Sequence, residues 1–490
     1  MTRLTNPPAA DIDRTAMLAL LDGQRKAFVA EGPPSLEVRL DRIRRLTLAV
    51  LENADDLAAA LDADFGSRPA AVSLSSDVLG ALSGLPRLHA ELGHWMRDEP
   101  VPGSAENGMP TFIQHRPKGV VGVIGPWNFP VTLSLLPALE ALAAGNRVMI
   151  KVSEIPQRTA EVFARAVASR LSPEEVVVVR GGPVTSAAFS ELPFDHLFFT
   201  GSPGVGRHVA AAAGRNLVPV TLELGGKNPV VVARDADLDE SARRIAAQRM
   251  MNGGQLCLCP DYVFVPQESL ADFADAYAAA ITAYFPTYAD NADVVSIVNQ
   301  SNYDRVTALV EDARSKGADV RMIAPDDELP RLPDAASRRI PPTVLLGIND
   351  EMDVAHEEIF GPVISVHGYD QVREVIDYVS SRPHPLAAYW YGDESPEFHE
   401  FLRLTTSGGV TRGDMALHYG IEGAPFGGVG QSGSGAYHGK VGFETFSHRR
   451  TVTQSALPFG VAPRSMPPFA PKHVEGLRQA VARQIVALTD

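Results

Sequence analysis

Apolar residues along this chain follow two rhythms, and the change from one to the other divides it. From Asp11 to about Ala63 they recur at helical spacing, as in L-D-R-I-R-R-L-T-L-A-V-L-E-N, with Gly32-Pro33-Pro34 interrupting, which predicts two helices. A further helical segment is expected over roughly Ser73 to Met96, after D-F-G-S-R at Asp64 to Arg68. Asp98 to Arg116 is rich in Pro, Gly and polar residues and reads as an excursion outside the compact body. From Gly119 the rhythm becomes short, continuously apolar runs separated by helical stretches. G-V-V-G-V-I-G-P, R-V-M-I-K-V, E-V-V-V-V-R and H-L-F-F-T read as strands, and Val131 to Ala144, Pro156 to Arg170 and about Thr185 to Leu192 as helices. Runs of that kind, apolar on both faces, predict a doubly wound parallel sheet and an α/β fold.

A second alternation runs from Pro229 to about Leu417, with P-V-V-V-A, D-Y-V-F-V, T-V-L-L-G, V-I-S-V-H and L-A-A-Y-W-Y as its strands. The tail from Gly427 is glycine-rich, then strand-like, and ends in H-R-R at His448 to Arg450. Lys472 to Asp490 reads as one amphipathic helix. No internal repeat or low-complexity segment is present.

Composition narrows the function classes. With 490 residues and 45% hydrophobic content the chain is long enough for two or three cored domains. Its 44 basic against 59 acidic residues, a net charge of −15, argue against a nucleic-acid-binding face. No stretch approaches the roughly 20 apolar residues of a membrane span, and M-T-R-L-T-N-P-P-A-A-D-I-D has no signal-type core. Two cysteines one residue apart cannot build a disulfide framework, so a reducing cytoplasm is the expected compartment.

Those cysteines, Cys257 and Cys259, sit in N-G-G-Q-L-C-L-C-P-D-Y. A thiolate is a strong soft nucleophile, and Gly253 and Gly254 would let the backbone turn approach a substrate unobstructed. The competing reading is a small buried hydrophobe. No metal site is expected, since four soft ligands are normally needed and no other cysteine exists. At G-S-P-G-V-G-R-H, Ser202 suits an N-cap, Pro203 a first helical position, and the glycines a phosphate near the helix start. That spacing is G-x-x-G-x-G, not the dinucleotide fingerprint.

Three further motifs accompany G-Q-L-C: P-W-N-F-P at Pro126 to Pro130, L-E-L-G-G-K-N-P at Leu222 to Pro229 and E-E-I-F-G-P at Glu357 to Pro362. In this order, from about Leu36 to His448, they resemble the aldehyde dehydrogenase superfamily. Y-H-G at Tyr437 to Gly439 and F-E-T-F-S-H at Phe443 to His448 resemble its class-three and coniferyl-aldehyde branch, and the spacing from Asn128 to Glu223 to Cys257 fits that branch without an insertion. The resemblance implies a Rossmann-like NAD-binding domain (1–97 and 117–224) and an α/β catalytic domain (225–420). It further implies a small β oligomerisation sheet (98–116 and 427–460) that makes a homodimer, followed by a helical tail (461–490).

It also implies roles. Cys257 would attack an aldehyde to give a thiohemiacetal, then a thioester. Asn128 and the Cys257 backbone N–H would hold the oxyanion, each worth roughly 3 kcal/mol. Glu223, between leucines, would have its pKa raised by burial and activate the hydrolytic water; the alternatives are a turn role for Asn128 and an ion pair from Glu223 to Lys227. Lys151 and Glu154 would reach the adenosine ribose at a strand end. Gly201 and Ser202 would touch the pyrophosphate, and Glu358 and Phe360, beside Trp127, would hold the nicotinamide end. The cofactor is expected to be NAD, with NADP as the alternative.

Cys259 either packs or forms a reversible protective linkage with Cys257. Pro203 and Gly413 depart from the branch pattern. The expected substrate is a bulky apolar or aromatic aldehyde, coniferyl aldehyde first and medium-chain aliphatic aldehydes second; Arg412 would favour a semialdehyde acid instead. A CoA-acylating enzyme is disfavoured by Glu223. A crystallin-type silent homologue is disfavoured by the retained motifs, and a serine hydrolase by the missing G-x-S-x-G.

Overall fold

The computed structural model describes residues 12–489; Asp11, the preceding N-terminal stretch and Asp490 lie outside the described residues. The main unit, up to Arg97 and then His115–His448, holds two large sheets. The first orders its strands Gly433–Ser434, Val220–Leu224, His196–Gly201, Val120–Ile124, Arg147–Lys151 and Val176–Val179. All neighbours are parallel except the first pair. From Val120–Ile124 the chain winds outward one way to Val176–Val179, then returns to the other side at His196–Gly201. Ligands of open α/β sheets bind at such a reversal, beyond the carboxyl ends of the strands.

Between Leu224 and Asn228 the chain passes into a seven-stranded sheet. Its order is Asp319–Met322, Thr343–Leu346, Val363–Tyr369, Pro260–Pro266, Asn228–Val232, Ala387–Tyr391 and Gly409–Arg412. Only the Asp319–Met322 edge is antiparallel.

The N-terminal region holds three helices where periodicity predicts two: Arg14–Glu31, Leu36–Leu51 and Ala54–Phe65. Asp13 and Ser35 cap the first two through their side chains. The additional break falls at Glu52-Asn53, where Asn53 Nδ2 bonds the Ala49 carbonyl at 2.9 Å and the Asn53 carbonyl accepts from Leu57. The apolar stripe continues across that break, which hides it from the pattern. Over Ser73 to Met96 the regular helix forms only at Leu85–Trp95, preceded by a π-helical turn, Ser73–Val78, and a non-helical stretch. Asp77 in that turn is fully buried and committed to partners elsewhere in the chain. π-turns of this kind collect at functional sites.

The glycine-rich tail divides differently from the expected single strand-like element. Gly433–Ser434 joins the first sheet, where Gly433 (φ 155°) leaves 2.3 Å between an added Cβ and the Leu222 carbonyl. Lys440–Thr445 is a short helix, because Phe443 turns inward against Trp95 and His115, at 5.9 and 5.4 Å between rings. Only Ser447–Thr453 is the strand. It forms the edge of a three-stranded sheet with Thr111–Pro117 at the centre and Glu99–Pro100 beyond. The second unit is 98–114 with 449–490, and its last helix, Pro471–Thr489, buries none of its described side chains. No helix among the described residues is long and apolar enough to cross a membrane.

Candidate active site

The carboxyl ends of the parallel strands open onto a cavity of about 1460 Å³, larger than the roughly 300–1,000 Å³ of a drug-sized site. Cys257, Glu223, Asn128, Trp127, Glu154, Gly201, Ser202, Glu358 and Phe360 all line it. Lys151 does not: it is wholly buried, and its ammonium donates to the carbonyls of Val152 (2.5 Å) and Gly181 (2.9 Å).

The turn before Cys257 is left-handed at three successive residues, Asn252 (φ 51°), Gly253 (63°) and Gly254 (76°). Asparagine and glycine tolerate that region best. An added Cβ at Gly254 would come 2.1 Å from the Gly361 carbonyl oxygen, so here glycine is a packing necessity. Gln255, fully buried, locks the turn by donating to Asn252 and Ser296 carbonyls and accepting from Val298. Asn128 joins the same lattice, its Nδ2 donating to the Gln255 carbonyl at 3.1 Å with one N–H to spare. Beyond the thiol, Asn228 donates to the carbonyls of Cys257 (2.7 Å) and Cys259 (2.8 Å), and Tyr389 to Leu258 (2.6 Å). The peptide planes around Cys257 are fixed from both sides.

Cys257 keeps part of its surface open to the cavity and is otherwise enclosed. Burial, then the charges of Glu358 and Glu223, push its thiol up to about 12. Glu223 is buried with both carboxyl oxygens unpartnered, and burial holds its pKa well above the carboxylate range. The alternative ion pair with Lys227 is not formed; that ammonium binds Asp261 and the carbonyls of Val354 and Glu357. Asp261 also accepts from Ile359 N–H at 2.9 Å, and Arg305 grips the carbonyls of Glu358 and Ile359. The E-E-I-F-G-P loop is thereby clamped. Burial first, then the Asp261 charge, raise Glu358 to about 8, and its Oε2 lies 2.1 Å from where a Gly225 Cβ would be. Phe360 meets Trp127 edge-on at 5.3 Å.

Asn128 has support that no motif signals. Arg68 and Asp77, both at zero exposure, pair at 2.6 Å. Asp77 also accepts from the backbone N–H groups of Val131 (3.0 Å) and Thr132 (3.3 Å), while Arg68 lies 5.2 Å from the Phe129 ring. The P-W-N-F-P loop is held at its back by this pair. Three more rings in the Cys257 cavity, Tyr419, Phe426 and Tyr437, also lack a local signal, apart from Tyr437 in Y-H-G.

Ser202 caps the helix Pro203–Arg215, its Oγ accepting from Val205 at 3.4 Å. Pro203 supplies no N–H, so this helix start offers an anion fewer free donors than usual. Arg207, His208 and Arg215, further along the same helix, also line the cavity; Arg207 donates to Gln431 and Arg215 pairs with Glu191. Cys259 packs: it is 4% exposed, both cysteines are free, and its thiol faces the Gln248 carbonyl at 3.4 Å. Arg412 is outside the cavity, donating to the Gly392 carbonyl, which removes the support for a semialdehyde acid. Gly413 is at φ 76°, a conformation that suits glycine there.

A doubly wound sheet whose strand ends meet a rigidly held thiol, a buried unpaired carboxyl and a side-chain amide defines an oxidoreductase class that works through a cysteine nucleophile and a dinucleotide. The chain belongs to the aldehyde dehydrogenase family, whose model matches residues 9–452. It is 45% identical to a probable coniferyl aldehyde dehydrogenase of Caulobacter vibrioides, over 97% of this chain and 98% of the relative. To a coniferyl aldehyde dehydrogenase of a Pseudomonas species it is 42% identical, over 88% and 89%. The solved substrate-bound state of Staphylococcus aureus AldH superposes with a TM-score of 0.86 at 28% identity, covering 94% of this chain and 99% of that one. The protein is an NAD(P)-dependent oxidoreductase acting on aldehydes.

Proposed function

We propose that this enzyme oxidises a coniferyl-aldehyde-like aromatic aldehyde to its acid through Cys257, Glu223 and Asn128. The observation that carries the substrate class is the set of rings, Tyr419, Phe426 and Tyr437, in the cavity that holds Cys257 and Glu223. Flat aromatic walls favour a flat aromatic guest by offset or edge-on contacts. Two of the relatives carry coniferyl aldehyde in their names.

Cys257 gives up its thiol proton to solvent and attacks the aldehyde carbon as the thiolate, and the oxygen takes up the charge facing the free Asn128 N–H and the Cys257 backbone N–H. The nicotinamide, when bound, supplies the hydride acceptor that turns the thiohemiacetal into a thioester. Glu223 then takes a proton from water, which attacks the thioester carbonyl; the acid leaves and Cys257 is restored. The residues fit a dinucleotide. Glu154 stands past a parallel strand end, Gly225 and Gly226 present bare backbone, and Glu358 is clamped over Gly225. Glu154 would accept from a ribose 2′-hydroxyl and repel a 2′-phosphate, so NAD is preferred, with NADP as the alternative.

The enzyme works as a homodimer in the cytoplasm. Ser447–Thr453, largely exposed at a sheet edge, is the kind of strand that a second copy would cover. A monomer by light scattering at micromolar concentration would contradict this. Substrate is tested by kcat/KM for coniferaldehyde, benzaldehyde, octanal, acetaldehyde and succinic semialdehyde. Highest efficiency on octanal would replace the aromatic reading with the medium-chain aliphatic one.

A further inference from the structure

Tyr419, Phe426 and Tyr437, the three rings of the Cys257 cavity, meet on one turn of the chain. Phe426 and Tyr437 form an antiparallel bridge, each N–H donating to the other's carbonyl, at 3.1 and 2.9 Å. The next residue, His438, lays its ring against both, with centroids 4.4 Å from Tyr437 and 5.1 Å from Phe426. Tyr419 meets the same imidazole edge-on at 4.9 Å, and the imidazole also bonds the Tyr419 backbone. The placing of all three rings therefore depends on where residues 438 and 439 put the chain.

That turn is strained and is held from outside. His438 has φ 86°, a region that a residue with a Cβ enters only at a cost, and Gly439 follows at 58°. Their N–H groups both donate to one carboxyl, that of Glu140: Oε1 accepts from Gly439 at 2.8 Å and Oε2 from His438 at 3.4 Å. Glu140 stands on the helix Thr132–Ala143, is 1% exposed and does not line the cavity of Cys257. The short helix after the turn leaves room for it, since an added Cβ at Gly442 would come 1.9 Å from Oε2. No cation accompanies it among the described residues, and burial lifts it to about 8 against the two N–H groups. A carboxyl buried without a counter-charge is costly to keep. Both of its bonds go to this turn.

We infer that Glu140 is a positioning residue for the aromatic wall: it fixes the 438–439 turn and through it the rings of Tyr437, Phe426 and Tyr419, without touching the substrate. The inference rests on the aromatic-aldehyde reading above and adds a specificity determinant that lies outside the cavity.

Glu140→Leu keeps bulk and a helix-forming side chain but removes the acceptor. Its kcat/KM for coniferaldehyde should fall about tenfold relative to that for acetaldehyde, mainly through KM, because acetaldehyde has no ring for the wall to hold. NAD binding measured by calorimetry should not change. Glu140→Gln keeps an acceptor oxygen at the same reach and resembles a carboxyl that is mostly protonated at neutral pH, so it should restore most of the ratio. Glu140→Asp, one methylene short, should not, and this pair decides the matter where the leucine variant does not fold. Ratios between substrates within one preparation do not depend on the fraction folded. Equal losses on both aldehydes in Glu140→Leu, or an aspartate variant that matches the wild type while the glutamine variant does not, overturn the inference. A wild type that prefers octanal to coniferaldehyde overturns the aromatic reading instead. The octanal-to-acetaldehyde ratio then takes over the test, and its being unchanged in Glu140→Leu overturns the inference as well.

Discussion

Asp77→Ala removes one partner of an ion pair at zero exposure and leaves the Arg68 guanidinium buried with its charge uncompensated. Breaking a buried pair from one side costs about 3–5 kcal/mol. The N–H groups of Val131 and Thr132 lose their acceptor in the same change, a cost of about 1–3 kcal/mol that overlaps the first. Against a typical total of about 5–15 kcal/mol this is a large fraction, and at about 1 °C per kcal/mol for a chain of 490 residues the Tm should fall by about 3–5 °C. The surviving folded enzyme should also be slow. Phe129 rests under Arg68 and is adjacent to Asn128, and a misplacement of about 1 Å at a reacting centre costs about 100-fold. Arg68→Met with Asp77→Leu removes both charges, so the double variant should be more stable than Asp77→Ala by a few kcal/mol. Thermal unfolding and kcat/KM on one aldehyde read both effects. Asp77→Ala with a Tm within about 2 °C of wild type and full activity would refute the argument that this pair supports the oxyanion loop.

Cys257→Ala should abolish turnover while calorimetry still detects cofactor binding, and Cys259→Ala should keep most activity; the reverse outcome would exchange their roles. Glu223→Gln should slow deacylation more than hydride transfer, so that mass spectrometry finds an acyl adduct on Cys257, and an unchanged rate without adduct would remove its role as base. Because burial holds Glu223 above the carboxylate range and the base must be ionised, kcat limited by deacylation should rise with pH in the wild type. Burial would raise Glu175, but hydrogen bonds from Arg45 and Arg42 outweigh it and bring the carboxyl to about 2. Its stabilisation is complete above the unfolded carboxylate pKa and is lost as pH falls from about 4.5 through 2, so Glu175→Gln should flatten the acid side of a Tm-versus-pH curve.

The continuous apolar runs revealed nine of the thirteen strands of the two large sheets, because a strand buried on two faces must be apolar at every position; Val220–Leu224, Asp319–Met322, Gly409–Arg412 and Gly433–Ser434, polar in part or too short, left no such run. The cavity likewise gathers Cys257, Glu223, Asn128 and Glu358, each of which stands in a contiguous motif. Chemistry that depends on partners far along the chain left no such trace. Arg68 and Asp77 belong to neither apolar period, and their joint target, the start of Thr132–Ala143, is remote in sequence. Asn228 was visible as a motif letter, but its grip on the Cys257 and Cys259 carbonyls depends on the register of Asn228–Val232 beside Pro260–Pro266. Lys151 stands at the expected strand end, where its ammonium donates to the Gly181 carbonyl, a partner 30 residues further along that no motif signals. Phe443 shows the limit from the other side: a β-prone stretch became helical because one ring had an inward place to go.

Gly254 and Gly361 touch backbone to backbone, with no side chain between them. The turn that carries Cys257 and the loop that carries Glu358 and Phe360 are thus two sides of one mechanical seam. Displacement on either side is transmitted by peptide units, which do not have alternative rotamers to absorb it. An engineer who relaxes the 357–362 loop to accept a different nicotinamide analogue should therefore expect aldehyde kinetics to shift as well. Selection on one reactant in this enzyme is unavoidably selection on the other.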